Sequence, residues 1–319
     1  MIEYRPFHNS DPPKLVVLWH QCRLGRGAAE GFGVDALETL VFSQTYFDAA
    51  GLIVAVENGQ LVGYAHAGFG ANADKSGLSK ARGVICAVMV HPEFRRRGVG
   101  RELVARAEQY LLRSGSTDIL AGGAEPNNPF YVGLYGGAEP SGFLESDADA
   151  APFFTKLGYT PKQRHLVFQR DNRNRNDPVS LRLVSIRRKM DVLIADQPDH
   201  PTWWWQTRYG RLDSLEFQLV AKGGGAPVAS AAVFGLDLFI AKWRERAVGI
   251  TDLRVRDLER RKGYGQALAC EIGRRLRDEM ITRLDAHVPE ENAAVVDLVR
   301  SAGFEQVDVG IVYQRSIAK

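Results

Sequence analysis

The sequence predicts an α+β protein, a mixed sheet flanked by helices, laid down twice in one chain. Three observations carry this. Arg95-Arg96-Arg97-Gly98-Val99-Gly100-Arg101 and Arg260-Arg261-Lys262-Gly263-Tyr264-Gly265-Gln266 share a basic, glycine-punctuated pattern at an offset of 165, close to half of the 319 residues. Behind each, apolar residues recur every four positions, at Leu103, Ala107 and Leu111 and at Leu268, Ile272 and Leu276, which is the buried stripe of an amphipathic helix. In front of each, β-rich runs broken by turn residues lead into a further strand. A duplicated unit accounts for all three.

Taken in order, LIVAVENGQLVGYAHAGF (52–69) is two strand-like runs broken by Asn58-Gly59, a hairpin signal. VICAVMV (84–90) is the strand entering the basic loop, and the helix follows. TDILA (117–121) is the next strand, then comes a helix closing on Gly158-Tyr159 and a last strand containing VFQR (167–170). The second copy repeats this: EFQLVAKGGGAPVASAAVF (216–234) with a glycine turn, VGITDLRV (248–255), loop and helix, TRLDAHV (282–288), a helix closing on Gly303-Phe304, and VYQR (312–315). Downstream the offset falls from 165 to 145, with KLGY (156–159) matching SAGF (301–304), so the first copy carries 20 extra residues, assigned to an insertion at 124–143. RDNRNRND (170–177) is polar and aperiodic. The expected organisation is a first domain over 1–170, a linker over 171–177 and a second domain over 178–319.

Composition narrows the function. With 45% hydrophobic and 25% charged residues the chain is that of an ordinary globular protein. Its 41 basic residues face 38 acidic ones, a net charge of +3, which gives no general support to a nucleic-acid or membrane-surface role. Cys22, Cys86 and Cys270 are scattered and lack metal-ligand or paired spacing, so they read as reduced thiols, with no metal expected. The first residues lack a basic segment leading into an apolar run, and no apolar stretch is long enough to span a bilayer. A cytoplasmic protein is expected.

The repeated loop suits an anion. A helix start leaves backbone N–H groups unpaired at the positive end of the macrodipole, glycines let a phosphate approach them, and Arg95, Arg96, Arg97 and Arg101 add charge. Leu103 stands where a dinucleotide fingerprint needs its third glycine, and no Gly-Lys-Ser/Thr is present. The full context, VHPEFRRRGVG at 90–100, resembles the acetyl-coenzyme A binding motif of the GNAT superfamily of N-acetyltransferases. VRDLERRKGYG at 255–265 repeats it, with Asp257 in the place of the proline. Asn292, eleven residues before Gly303, fits the same family's later helix, and Asp147 holds the corresponding place before Gly158. The resemblance covers nearly the whole chain, as a tandem pair.

What the resemblance implies is acetyl transfer to the amine of a small molecule or an exposed protein amine. Coenzyme A would lie between the strand before the loop and the strand after the helix. Its pantetheine amides would pair with Val88, Met89 and Val90, or with Leu253, Arg254 and Val255. Val99 and Gly100 in one loop, and Tyr264, Gly265 and Gln266 in the other, would meet the pyrophosphate together with the arginines and Lys262. Asn292 completes the cofactor set. An amine with a pKa of about 10 is protonated at neutral pH, so a base is needed. Asp252, three residues before Val255, is the candidate in the second copy, with His287 beside it; both also read as ordinary polar residues of a strand. Its counterpart in the first copy is Ala87, which leaves Glu125, Glu139 or Glu145. The tyrosine that many relatives use as an acid falls at Phe154 and Val299; Tyr135 in the insertion is the substitute, with a buried anchor as the alternative reading. Trp203-Trp204-Trp205 reads as packing. The first copy has the fuller cofactor loop and the second the better base, so the sequence leaves open which copy does chemistry. Two further readings stand beside this one: a pair that binds coenzyme A esters without turnover, and a thiol-biosynthetic enzyme like mycothiol synthase, which shares the tandem layout.

Overall fold

The computed structural model describes residues 1–316. The first copy contains β1 (Glu3–Pro6), α1 (Pro12–Gln21), α2 (Val34–Leu37), β2 (Leu52–Glu57), β3 (Gln60–Ala71), β4 (Leu78–Val90), α3 (Val99–Arg113), β5 (Asp118–Ala121), β6 (Phe143–Leu144), α4 (Ala150–Lys156) and β7 (Thr160–Asp171). The second contains α5 (Leu181–Lys189), β8 (Met190–Ala195), α6 (Trp203–Tyr209), β9 (Ser214–Ala221), β10 (Ala229–Gly235), α7 (Ile240–Trp243), β11 (Ala247–Val255), α8 (Tyr264–Asp278), β12 (Arg283–Pro289), α9 (Ala293–Ser301) and β13 (Glu305–Ser316). The architecture is α+β, with one mixed sheet and helices on both faces. The predicted hairpin turns at Asn58 and Gly59, both with positive φ as a tight turn requires.

Residue alternation sorts the sheet into two faces. One face packs against α3, α4, α8 and α9: Leu103, Ala107 and Leu111 of α3, and Leu268 and Ile272 of α8, are buried there with Phe154, Phe168, Phe217 and Leu284. On the other face α1 and α2 meet the segment that joins β5 to β6. Trp19, Phe32, Phe130, Tyr131 and Leu134 bury one another there, together with Trp205, Tyr209 and Phe234 of the second copy. Trp204 is fully buried as well, and Trp203 is half-buried against Tyr46.

The sheet runs β1-β2-β3-β4-β5-β13-β7-β12-β11-β10-β9-β8, with β6 beside β13. The closing strands are exchanged. β13, from the end of the second copy, pairs antiparallel with β5 of the first, and β7, from the end of the first, pairs antiparallel with β12 of the second; β7 and β13 also pair with each other. The exchange follows the repeat. Gln314 lies opposite Leu120 and Gln169 opposite Asp285, and these partners are themselves equivalent positions of the two copies. The chain leaves β5 at Ala121 and returns to the same line along β13 only at Phe143. The excursion between them crosses to the second copy, so each copy contributes a strand and the first contributes a long loop to its neighbour.

Candidate functional site

In each copy two parallel strands pair at one end and part at the other. The β4–β5 ladder ends at Ile85 and Ala121, with a last bond from the Gly122 N–H to the Ile85 carbonyl (2.9 Å). The β11–β12 ladder ends at Ile250 and Ala286. Where the ladders end the hairpin register slips, at Cys86 in β4 and between Thr251 and Arg254 in β11, so a bulge marks each opening. The N–H of His91 bonds Val62 (2.9 Å), and that of Arg256 bonds Val228 (3.0 Å). Antiparallel alternation then turns the amide groups of Val88, Val90 and Val255 into the gap, and those of Met89 and Arg254 towards the hairpin partner. Leu253 lies next to the bulge.

The loops above the two gaps share one backbone. Arg96 and Arg261 have φ of 64° and 65°, and the helix-starting Gly98 and Gly263 have φ of 86° and 89°. Among the described residues no side chain caps either 15-residue helix, so the first N–H groups of both stay open to a ligand. The loops differ in their charge. Arg95 is engaged with Asp149 (3.3 Å) and the Cys22 carbonyl (3.2 Å), and Arg97 lies over the Phe94 ring. In the second loop Arg260 pairs with Asp257 (2.6 Å) and Lys262 with Glu259 (2.9 Å). Arg182 of α5 also reaches this loop: its Cδ is 2.7 Å from where a Cβ on Gly263 would stand. α5 has no counterpart before the first loop, so the repeat gave no hint of Arg182. Gln266 donates to the Ser301 carbonyl (2.8 Å), tying α8 to α9, and Asn292 caps α9 through the Val295 N–H (3.4 Å).

Beyond the gaps the two copies diverge. In the first, the face behind β4 is closed by aromatic packing. His66 is fully buried, stacks on Phe130 at 4.1 Å and contacts the Tyr131 hydroxyl at 3.0 Å; burial pushes its pKa down to about 3. Tyr135 is a fixed part of this half. Its hydroxyl donates to Asp147 and accepts from the Leu144 N–H (3.0 Å), and burial with the Asp147 charge raises its pKa far above the usual value. Phe154, at the family's tyrosine position, is buried between Phe143 and Tyr313.

In the second copy the same face is polar. Segment 136–141 of the first copy lies across it: the Ala138 N–H donates to Asp285 (2.7 Å), Ser141 contacts His287 (2.8 Å), and Thr251 donates to Glu139. Tyr209 also donates to Glu139 (3.1 Å) and accepts from Arg208 (2.9 Å). Glu125 accepts from Lys75 (2.7 Å), the Trp204 indole N–H (3.3 Å) and Arg208. Asn128, with its amide oriented to serve both, donates to Glu125 (3.1 Å) and accepts from Arg208 (2.9 Å). Asp252, at the bulge with a left-handed φ of 53°, accepts from Arg254 (2.6 Å). Burial holds the Asp252 and Glu139 carboxyls above the usual range, each with a further push from the Glu125 charge. Burial also pushes Glu125 up, but Arg208 and Lys75 outweigh it and its pKa falls.

The structure therefore brings Glu125 and Asp252 into one cluster and leaves Tyr135 outside it. Thr251, Arg208 and Glu216 belong to this cluster and were not singled out from the sequence. Arg208 is buried and faces two carboxylates, so Arg208→Met is expected to cost about 3 kcal/mol, read as a lower urea midpoint at unchanged m.

Comparison with known proteins gives the same picture. A family model described as the acetyltransferase (GNAT) family matches residues 20–137 and 183–304. A tandem GNAT protein from the clavulanic acid biosynthesis pathway superposes with a TM-score of 0.68 at 17% identity, over 100% of this chain and 99% of its own. The glucosamine N-acetyltransferase region of a fungal multi-domain beta-N-acetylglucosaminidase gives 0.73 at 16%, over 99% of this chain and 38% of that one. A GCN5-related N-acetyltransferase from Sphaerobacter thermophilus gives 0.61 at 16%, over 100% and 96%. At these identities the likeness establishes the fold. Among the described residues no helix is long and apolar enough to cross a membrane.

Proposed function

This chain belongs to the GNAT family of acetyltransferases, and from that premise we propose that it transfers acetyl from acetyl-coenzyme A to a primary amine, with the chemistry in the second of its two units, 178–319. One observation carries the choice of unit: the second gap opens onto the carboxylate of Asp252 at its bulge, while the first is backed by aromatic packing. The residues fit coenzyme A at both gaps. The uncapped starts of α3 and α8 and their left-handed glycines suit a pyrophosphate, and the N–H groups of Val88, Val90 and Val255, turned into the gaps, suit a peptide-like arm, while the Val90 and Val255 carbonyls accept from Arg95 (3.1 Å) and Arg260 (3.4 Å). Arg96 and Arg101 at the first loop, and Arg261 with Arg182 at the second, are the cations at hand.

The bound coenzyme supplies an acyl group activated as a thioester. The chain's own part is to hold it and to handle the acceptor's proton. An ammonium entering beside Asp252 gives its proton to the Asp252 carboxylate, whose raised pKa makes it a better acceptor than a free aspartate. Leu253 and Val255 carry the backbone that lines the gap beyond it. Tyr135, held by Asp147 and Leu144 in the first unit, serves to anchor the excursion.

Loop variants test this reading. A β-branched residue in a left-handed position costs about 1–2 kcal/mol, so Gly98→Val and Gly263→Val should each weaken acetyl-coenzyme A at their own site by about tenfold. Calorimetry is expected to resolve two sites in the unaltered protein. Release of free coenzyme A with an amine panel should fall only in Gly263→Val. Absence of acetyl-coenzyme A binding would sink the reading, and turnover lost only in Gly98→Val would move the chemistry to the first unit.

A further inference from the structure

Glu216 stands out among the buried acids. It is 5% exposed, and among the described residues its Oε2 has no hydrogen-bond partner. A buried carboxylate oxygen without a donor is costly, and such an atom is a place where a ligand's donor is missing. Sheet register shows what it faces. Glu216 lies opposite Ala232, and Ala232 opposite Thr251, so the three form one row on the polar face, and Thr251 bonds Glu139. Asp252 follows Thr251, and its charge acts on Glu216. The row opens to solvent at its near end, where the side chains of Asp252, Glu125 and Lys75 are 27%, 33% and 33% exposed.

We propose that Glu216 and Asp252, with Lys75, Glu125 and Glu139 reaching over from the first unit, form a composite pocket for a small cationic primary amine that carries no carboxylate. This rests on the placement of the chemistry in the second unit. Four carboxylates, Glu125, Glu139, Glu216 and Asp252, meet three cations, Lys75, Arg208 and Arg254, which leaves a negative charge for a ligand to neutralise. Arg208 is fixed inside, whereas Arg254 is 63% exposed, so its guanidinium can leave Asp252 when an ammonium arrives. The ammonium then bridges Asp252 and the free oxygen of Glu216. A carboxylate on the same ligand would meet Glu125 and Glu139 and be repelled. Neither unit holds this set of groups alone.

Putrescine and γ-aminobutyrate, which differ in whether the far end is a cation or a carboxylate, are the probes. Each is titrated by calorimetry, with and without coenzyme A, into the unaltered protein, Glu216→Gln and Asp252→Asn, and acetyl-coenzyme A is titrated into the same three. Putrescine is expected to bind the unaltered protein at least tenfold more tightly than γ-aminobutyrate and to lose at least tenfold in both variants, with acetyl-coenzyme A affinity the same in all three. Because Asp252 is part-exposed, its variant guards against a folding defect in Glu216→Gln. Equal binding of the two probes, equal binding across the three proteins, or no putrescine binding by a protein that does bind acetyl-coenzyme A would each overturn the pocket. Glu216-dependent putrescine binding by a protein that ignores acetyl-coenzyme A would keep the pocket and discard acetyl transfer.

Discussion

Asp252→Asn is expected to lower kcat by about 10²–10⁴, the usual worth of a positioned base, while acetyl-coenzyme A still binds. The pH profile is the sharper readout. Burial lifts the Asp252 carboxyl, Arg254 beside it pulls it down, and Glu125 adds a smaller upward push, with a net rise. The working, ionised form is therefore full only above that raised pKa, and kcat/KM should fall as pH drops through it, earlier than for an ordinary aspartate. Arg254→Ala removes the group that holds the pKa down, so the acidic limb should move to higher pH. In Asp252→Asn the limb should vanish along with most of the rate. A limb that survives there unchanged would pass the role of base to Glu139, whose carboxyl is also held high by burial.

Cut between the copies, the protein is expected to yield two pieces that do not fold alone. A fragment ending at residue 170 keeps β7 but loses β13, leaving the edge of β5 bare, and a fragment starting at 178 keeps β13 but loses β7, leaving the edge of β12 bare. Bare edges of this kind recruit other chains. The first fragment also carries the apolar excursion that packs on Trp205, Tyr209 and Phe234 of the second. Each fragment should aggregate or lack a cooperative melt by circular dichroism, and mixing the two from denaturant should restore a single transition. Two fragments that melt cooperatively by themselves would contradict the strand pairing.

The loops, the helices behind them and the order of strands were legible because each rests on a local pattern: Gly98 and Gly263 on a left-handed turn, Leu103 and Leu268 on helical spacing. Asp252 was legible by its distance from Val255. The strand exchange was not, and the reason is the repeat itself. VFQR and VYQR are so alike that nothing in the sequence assigns either strand to one sheet, and sequence alone says what pairs without saying with whom. The polar cluster was equally hidden. Arg208 and Glu125 are 83 residues apart and Thr251 and Glu139 are 112, so nothing local links them. Tyr135 shows the converse: its seven-residue spacing from Asn128 matches a motif, yet both residues are held by hydrogen bonds that tie down the excursion, Tyr135 by Asp147 and Asn128 by Arg208 and Glu125.

The exchanged strands also set a timetable for the ribosome. β5 and β7 leave the tunnel early, but β13 follows only after the whole of the second copy's other elements. At about 5–20 residues per second, the stretch between β7 and β13 takes on the order of 10 s to synthesise, and throughout it the first copy waits with its sheet unfinished. The nascent chain is thus exposed to mispairing with its neighbours on a polysome, and a polypeptide truncated before β13 would be incomplete at β5, far towards its beginning.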